Sequence, residues 1–320
     1  MDYHVYFDKL SKRQLITLCD GKNSRKILEE FGFKDIRSFD KYNHQKDGVC
    51  FALLEHYESL DKMKEWWGVS KSLISHIALA KFNTDLKTIK YSLNNLFNGR
   101  ALESLERRKK FYAFIENSNK ITINSQKSQL NIFVSDEIEV ANKDEILNQG
   151  WVYSIAEWFE SSIVNIKSSK SSFSLSGSMP FSGFIYLCNN QALKSQKHVI
   201  DKLNELLKEA SLSKNNYLVI EDGEISNIII NGNSHINFFK ETYNKERFLY
   251  PTEFAFGCLT QEGKNSVDWS QNSLINESTY GFHVGIGMGK ETPHLDFICP
   301  FSKEILVKSN NSELYELNFR

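Results

Sequence analysis

The sequence predicts an α+β fold, and three observations carry that expectation. Capped amphipathic segments fill the first 120 residues, and alternating apolar runs take over beyond Asn119. No steady alternation of strand and helix patterns runs through the chain, which favours segregated elements over a doubly wound sheet. With 320 residues, 41% of them hydrophobic and 13% aromatic, the chain can bury a large core.

Taken in order, Ser11 precedes KRQLITLCD and Asn23-Ser24 precede RKILEEFGF, each a polar cap before an apolar pattern closed by Gly21 or Gly32. A third helix is expected to open at Asp47-Gly48 and carry Cys50, Phe51, Leu53, Leu54, Tyr57 and Leu60. Ser70 would cap a fourth, KSLISHIALAKF, and ALESLERRKKFYAFIE reads as a long helix with a solvated basic face. KITINSQ and LNIFVSDEIEV then alternate like strands. Residues 142–160 return to a helical pattern, and 161–183, with ten serines and Pro180, read as a loop or boundary. GFIYLC reads as a buried strand and HVIDKLNELLKEA as an amphipathic helix. YLVIEDGEISNIII reads as a hairpin turned by Asp222-Gly223. FHVGIGM, HLDFICPF and EILVKS supply three more strands. The expected organisation is a helical part over 1–120, a mixed segment over 121–180 and an α+β part over 181–320.

No run approaches the roughly 20 apolar residues of a membrane span, and the N-terminal MDYHVYFDKLSKRQ lacks a signal-peptide pattern. The expectation is an intracellular protein, or one exported without a cleaved signal. Five cysteines without paired spacing read as reduced thiols. Residues 1–120 hold 22 basic against 16 acidic side chains and the remainder 17 against 24, too diffuse to predict an obligatory nucleic-acid partner.

The chemistry-bearing segment is Lys46-Asp47-Gly48-Val49-Cys50-Phe51. A cysteine in the first turn of a helix gains thiolate character from the unsatisfied amides and dipole there. Gly281-Phe282-His283-Val284-Gly285 puts a histidine at the head of a strand, and Asp296 follows on the next such run. Adjacent antiparallel strands would bring the carboxylate to the imidazole. Gln45 is the preferred side-chain donor to an oxyanion, with Asn43 beside it, and His44 is the second choice of base.

DGVCFALLEHY resembles the nucleophile helix of papain-like cysteine peptidases, and of YopT-type effector peptidases in particular. GFHVGI followed by LDFICPFSKEI is similar to that clan's histidine strand and acid segment. The resemblance implies a papain-like fold with Cys50 as nucleophile, His283 as base and Asp296 as its orienting acid, without a cofactor. The interval of 233 residues between Cys50 and His283 then requires an insertion.

Two other groupings lack the spacing their chemistry needs. Gly285-x-Gly287-x-Gly289-Lys290 has neither Walker spacing nor a dinucleotide fingerprint. The set His283, His294, Asp296 and Cys299 matches no common zinc spacing, so no metal is expected. The function expected is therefore a cysteine-nucleophile hydrolase, a peptidase, deamidase or acyltransferase, on a protein substrate. The alternative is a non-catalytic interaction module.

Overall fold

The short apolar runs of the first half pair side by side and in parallel. Ile36–Ser38, Ile16–Cys19, Gly48–Leu53, Ser72–Ile77 and Val152–Ser154 form, in that order, a five-stranded sheet. These relations come from a computed structural model that describes residues 1–125, 128–141, 146–244, 249–260, 267–302 and 304–310. Helices cover both faces of the sheet. Tyr6, Phe7, Leu28, Ile89 and Leu93 pack on one face with Phe51 and Leu53. Leu60, Met63 and Trp66 pack on the other with Cys50, Ala52 and Ile74.

This corrects the helical reading of residues 1–120. KRQLITLCD yields the strand Ile16–Cys19, the Cys50 segment yields Gly48–Leu53, and KSLISHIALAKF yields Ser72–Ile77. The physical reason is burial on both faces. A strand in a covered parallel sheet is apolar throughout, so its sequence carries no alternation to separate it from a buried helix. The helices Lys22–Glu30 and Ala101–Glu116 form where the 3.6 periodicity places them.

The second half is antiparallel. A seven-stranded sheet runs from Asn233–Ser234 through Glu224–Ile230, Tyr217–Glu221, Phe173–Pro180, Gln129–Val134 and Lys120–Asn124 to Leu306–Ser309. A six-stranded sheet runs from Gly183–Leu187 through His294–Pro300, Gly281–Ile286, Pro251–Gly257 and Glu160–Val164 to Glu139–Val140. One apolar cluster joins their inner faces to the helix Lys197–Leu212, through residues such as Ile121, Ile132, Leu203, Leu206, Phe254 and Phe297. Asp222 and Gly223 turn the hairpin with φ of 52° and 86°, the paired positive values of a tight antiparallel turn.

The serine-rich stretch is not a loop: it supplies Glu160–Val164 and Phe173–Pro180. The helix expected over 142–160 is replaced by the strand Val152–Ser154 and the 3-10 turn Ala156–Phe159, with residues 142–145 outside the described ones. Strands of one sheet come from both sides of residues 120 and 180. The architecture is mixed α and β, with a wound parallel sheet beside two antiparallel ones. Among the described residues no helix is long and apolar enough to cross a membrane.

Candidate metal centre

Alternation along the six-stranded sheet sorts its side chains by chemistry. Phe254 and Phe256, Phe282, Val284 and Ile286, and Leu295 and Phe297 face the apolar cluster. A strand sends its odd and even side chains to opposite faces, so Glu253, His283, His294 and Asp296 share the other face. Register completes the arrangement. Ala255 pairs with His283 and with Ser162, while Gly285 pairs with Asp296 and lies beside Glu253. Glu160 enters from the adjoining strand, opposite Gly257.

His283 Nε2 lies 3.8 Å from Glu160 Oε2, 3.9 Å from Glu253 Oε1 and 4.0 Å from Asp296 Oδ1. His294 Nε2 lies 3.4 Å from Glu253 Oε2 and 2.9 Å from Asp296 Oδ1. The donors form two groups, Glu160–Glu253–His283 and Glu253–His294–Asp296, and within each every ligand atom is within 4.8 Å of the others. Glu253 belongs to both and offers a different oxygen to each histidine. Imidazole and carboxylate donors about 2 Å from one ion stand about 3–4 Å from each other, the range of the histidine–carboxylate separations in both groups. Such nitrogen and oxygen donors suit zinc, manganese or iron.

The surroundings tune the donors. His294 Nδ1 donates to the Gly287 carbonyl at 2.8 Å, which turns Nε2 toward Glu253 and Asp296. That outer bond is the usual means of orienting a ligating imidazole. Ser162 Oγ donates to Glu253 Oε1. Gly285 is required by space: a Cβ there would stand 2.7 Å from Asp296 Oδ1, 2.9 Å from Glu253 Cβ and 2.9 Å from His294 Cε1.

Electrostatics point the same way. Glu157, Glu160, Glu253, Glu277 and Asp296 line one cleft together with Lys64, Lys81, His76, His283 and His294, and the buried Arg108 guanidinium acts on Glu157 and Glu160 from beside them. Burial, reinforced by Glu253, Glu157 and Asp296, pushes the Glu160 carboxyl well above its ordinary range. Burial and Glu160 do the same to Glu277. Burial opposes charge on Glu253 as well, but hydrogen bonds from His283 and His294 win and hold it low. Both imidazoles are held above their ordinary value against burial, His283 chiefly by Glu253 and His294 chiefly by Asp296. Glu160 Oε2 and His283 Nδ1 are buried and make no hydrogen bond. Without an ion, protons on Glu160, Glu277, His283 and His294 offset this charge, and a divalent cation could take their place.

The cleft, about 740 Å³ in volume, has a second wall. His76 and Lys81 follow from the carboxyl end of the strand Ser72–Ile77, and Glu157 from that of Val152–Ser154. Ligands commonly lie beyond the carboxyl ends of parallel strands. His76 Nδ1 is 2.8 Å from the Tyr153 carbonyl, while burial and Lys81 push its pKa down to about 4. Lys81 makes no side-chain hydrogen bond or ion pair among the described residues, and burial lowers its pKa.

The residues singled out in the sequence separate into two places. His283 and Asp296 meet on the cleft floor, joined by His294. Cys50 lies in the parallel sheet and is absent from the cleft lining. Its Sγ donates to Tyr42 Oη at 3.2 Å, and burial pushes the thiol up to about 11. The helix terminus that would have activated it does not form. Gln45 is exposed and donates through Nε2 to the Val69 carbonyl. Cys299 faces the apolar cluster, on the side of its strand opposite His294 and Asp296. Glu160 and Glu253 had no role in the sequence reading, although the alternation in TEFAF and HLDFI marks which residues share a face.

Fold and floor together define a mixed α/β protein with a carboxylate–histidine centre on an antiparallel sheet. Residues 12–306 match the family model described as crocagin biosynthetic protein CgnE/B, and the chain belongs to that family. No curated protein matches it. Among solved structures it is similar to wild-type AmpT from Thermus thermophilus, with a TM-score of 0.49 and 9% identity over 96% of this chain and 95% of that one.

Proposed function

We propose that this chain is a metal-dependent hydrolase of a carbonyl substrate, an amide in the first instance, acting in a biosynthetic route as the family's description suggests. The observation that carries the reading is Glu253 shared between two donor groups, the arrangement of a paired metal site. Glu160 and His283 would complete one position and His294 and Asp296 the other. Such ions polarise a carbonyl oxygen and make bound water nucleophilic near neutral pH. The remaining work falls to side chains of the opposite wall. Glu157, pushed up to about 7 by burial and by Glu253, is suited to carry a proton between water and leaving group. Lys81, which makes no side-chain hydrogen bond or ion pair among the described residues, can donate to a substrate oxygen. The nucleophile thus comes from water, a departure from the cysteine-nucleophile hydrolase expected from sequence.

The test is metal content and turnover measured together. Protein loaded with Zn²⁺ or Mn²⁺ is incubated with a defined mixture of short peptides, and the products are read by mass spectrometry. Bound metal and cleavage should both be lost in Glu253→Gln and His294→Ala and survive in Cys50→Ala. A protein that binds neither ion, or a Glu253→Gln variant that still cleaves, would overturn the reading. Loss of cleavage in Cys50→Ala alone would return the thiol to the centre of the mechanism.

A further inference from the structure

Two tryptophans stand in the cleft lining although much of each is exposed: Trp67 by 52% and Trp151 by 37%. Their ring centroids are 5.0 Å apart at 45°, and Tyr153 stacks behind Trp151 at 6.1 Å. Large aromatic rings held in water are costly, and grouped on the rim of a cleft they mark a contact surface. These rings are also held in place. Gly68 N donates to the Gly150 carbonyl at 2.8 Å and Ile74 N to the Trp151 carbonyl at 3.2 Å, tying the two loops to each other and to the parallel sheet. Rigid aromatics of this kind bind with little ordering cost, and stacked ring pairs are worth about 0.5–1.5 kcal/mol beyond the area buried.

Resting on the hydrolase reading, we propose that Trp67 and Trp151 form a substrate subsite that takes a flat apolar side chain of a peptide-type substrate. The occupant follows from continuity. The tryptophans line the same cleft as Glu253, His283 and His294, so one molecule can reach the floor and the ring pair together.

The experiment compares two tripeptides, Gly-Phe-Gly and Gly-Ala-Gly, by calorimetric titration of the full chain. It is run with Zn²⁺ added and again after chelation. Wild-type protein should bind Gly-Phe-Gly at least tenfold more tightly, and Trp67→Ala and Trp151→Ala should each remove most of that preference. Both positions are exposed, and circular dichroism confirms that the variants fold. Equal binding of the two tripeptides, no binding of either, or a preference that survives the double variant overturns the subsite. The fate of the hydrolase reading is distinguishable, because zinc uptake and cleavage are read separately. A phenylalanine preference that persists in chelated protein and in Glu253→Gln supports the subsite even if the metal reading falls.

Discussion

At the residue scale the most exacting position is Gly285. Its φ is not among the positive values, so backbone freedom is not what it supplies. A methyl group there would press on Asp296, Glu253 and His294 together. Gly285→Ala is therefore expected to lower metal affinity at least tenfold, because the donors must spread, while costing about 1–3 kcal/mol of stability as an overpacked site. Zinc titration and thermal melting of the same variant check both figures. Cys50 gives the opposite expectation. Its thiol is fully buried and pushed up to about 11, so alkylation by iodoacetamide of folded protein should be slow from pH 6 to 9 and unchanged in His283→Ala. Reactivity that persists at low pH and disappears with His283 would show an activated thiolate. The contrast explains what the sequence could convey about the site. His283 and Asp296 were legible as a pair because they sit on two successive strand-like runs, GFHVGI and LDFICP. Glu160 and Glu253 were not, since 93 residues separate them and only sheet register places both beside His283.

At the scale of elements, the strand Ser72–Ile77 shows why part of the fold escaped the sequence. LISHI is apolar except for Ser75 and His76, and both find polar partners inside the protein: Tyr6 Oη for the serine and the Tyr153 carbonyl for the histidine. Without the partners in view, the run reads as an interrupted helix. Antiparallel strands such as Lys120–Asn124, Gln129–Val134 and Gly281–Ile286 read as strands from sequence, whereas the alternating Phe173–Pro180 reads as a loop because serines fill its polar face. His76 also gives this element a pH dependence. Its folded pKa, about 4, lies below the unfolded value of about 6.5. The depressed histidine contributes stability that is fully present above pH 6.5 and is lost as pH falls through 4. After allowance for partial exposure, its share is on the order of 2 kcal/mol. Denaturant melts at pH 7 and pH 4.5 should show a smaller loss in His76→Asn than in wild type. An equal loss in both would remove His76 from the account.

At the scale of the whole molecule, the cleft stands between a parallel and an antiparallel sheet that share an apolar cluster, with Phe51, Leu53 and Ile77 from one and Ile185 and Ile298 from the other. The floor belongs to an antiparallel sheet backed by one apolar cluster, and the opposite wall to the carboxyl ends of a parallel sheet packed into others. The two parts also touch through the Tyr57 hydroxyl on the Cys188 carbonyl at 2.8 Å, and through Lys194 Nζ on the Phe82 carbonyl. Metal at the floor would offset the excess of buried carboxylates and so stabilise the fold itself, not only the site. A ligand that binds only the native state adds about 2.7 kcal/mol when present at 100 times its Kd. A chain of this size should then melt several degrees higher in Zn²⁺ than in chelator. The increment should vanish in His294→Ala, which removes a donor, and remain in Cys50→Ala, which removes only a buried thiol of the other sheet. Calorimetric melts of the three proteins decide it. An increment that persists without His294 would put the stabilising ion elsewhere. No increment in wild type would mean that protons on His283 and His294, not cations, balance these carboxylates.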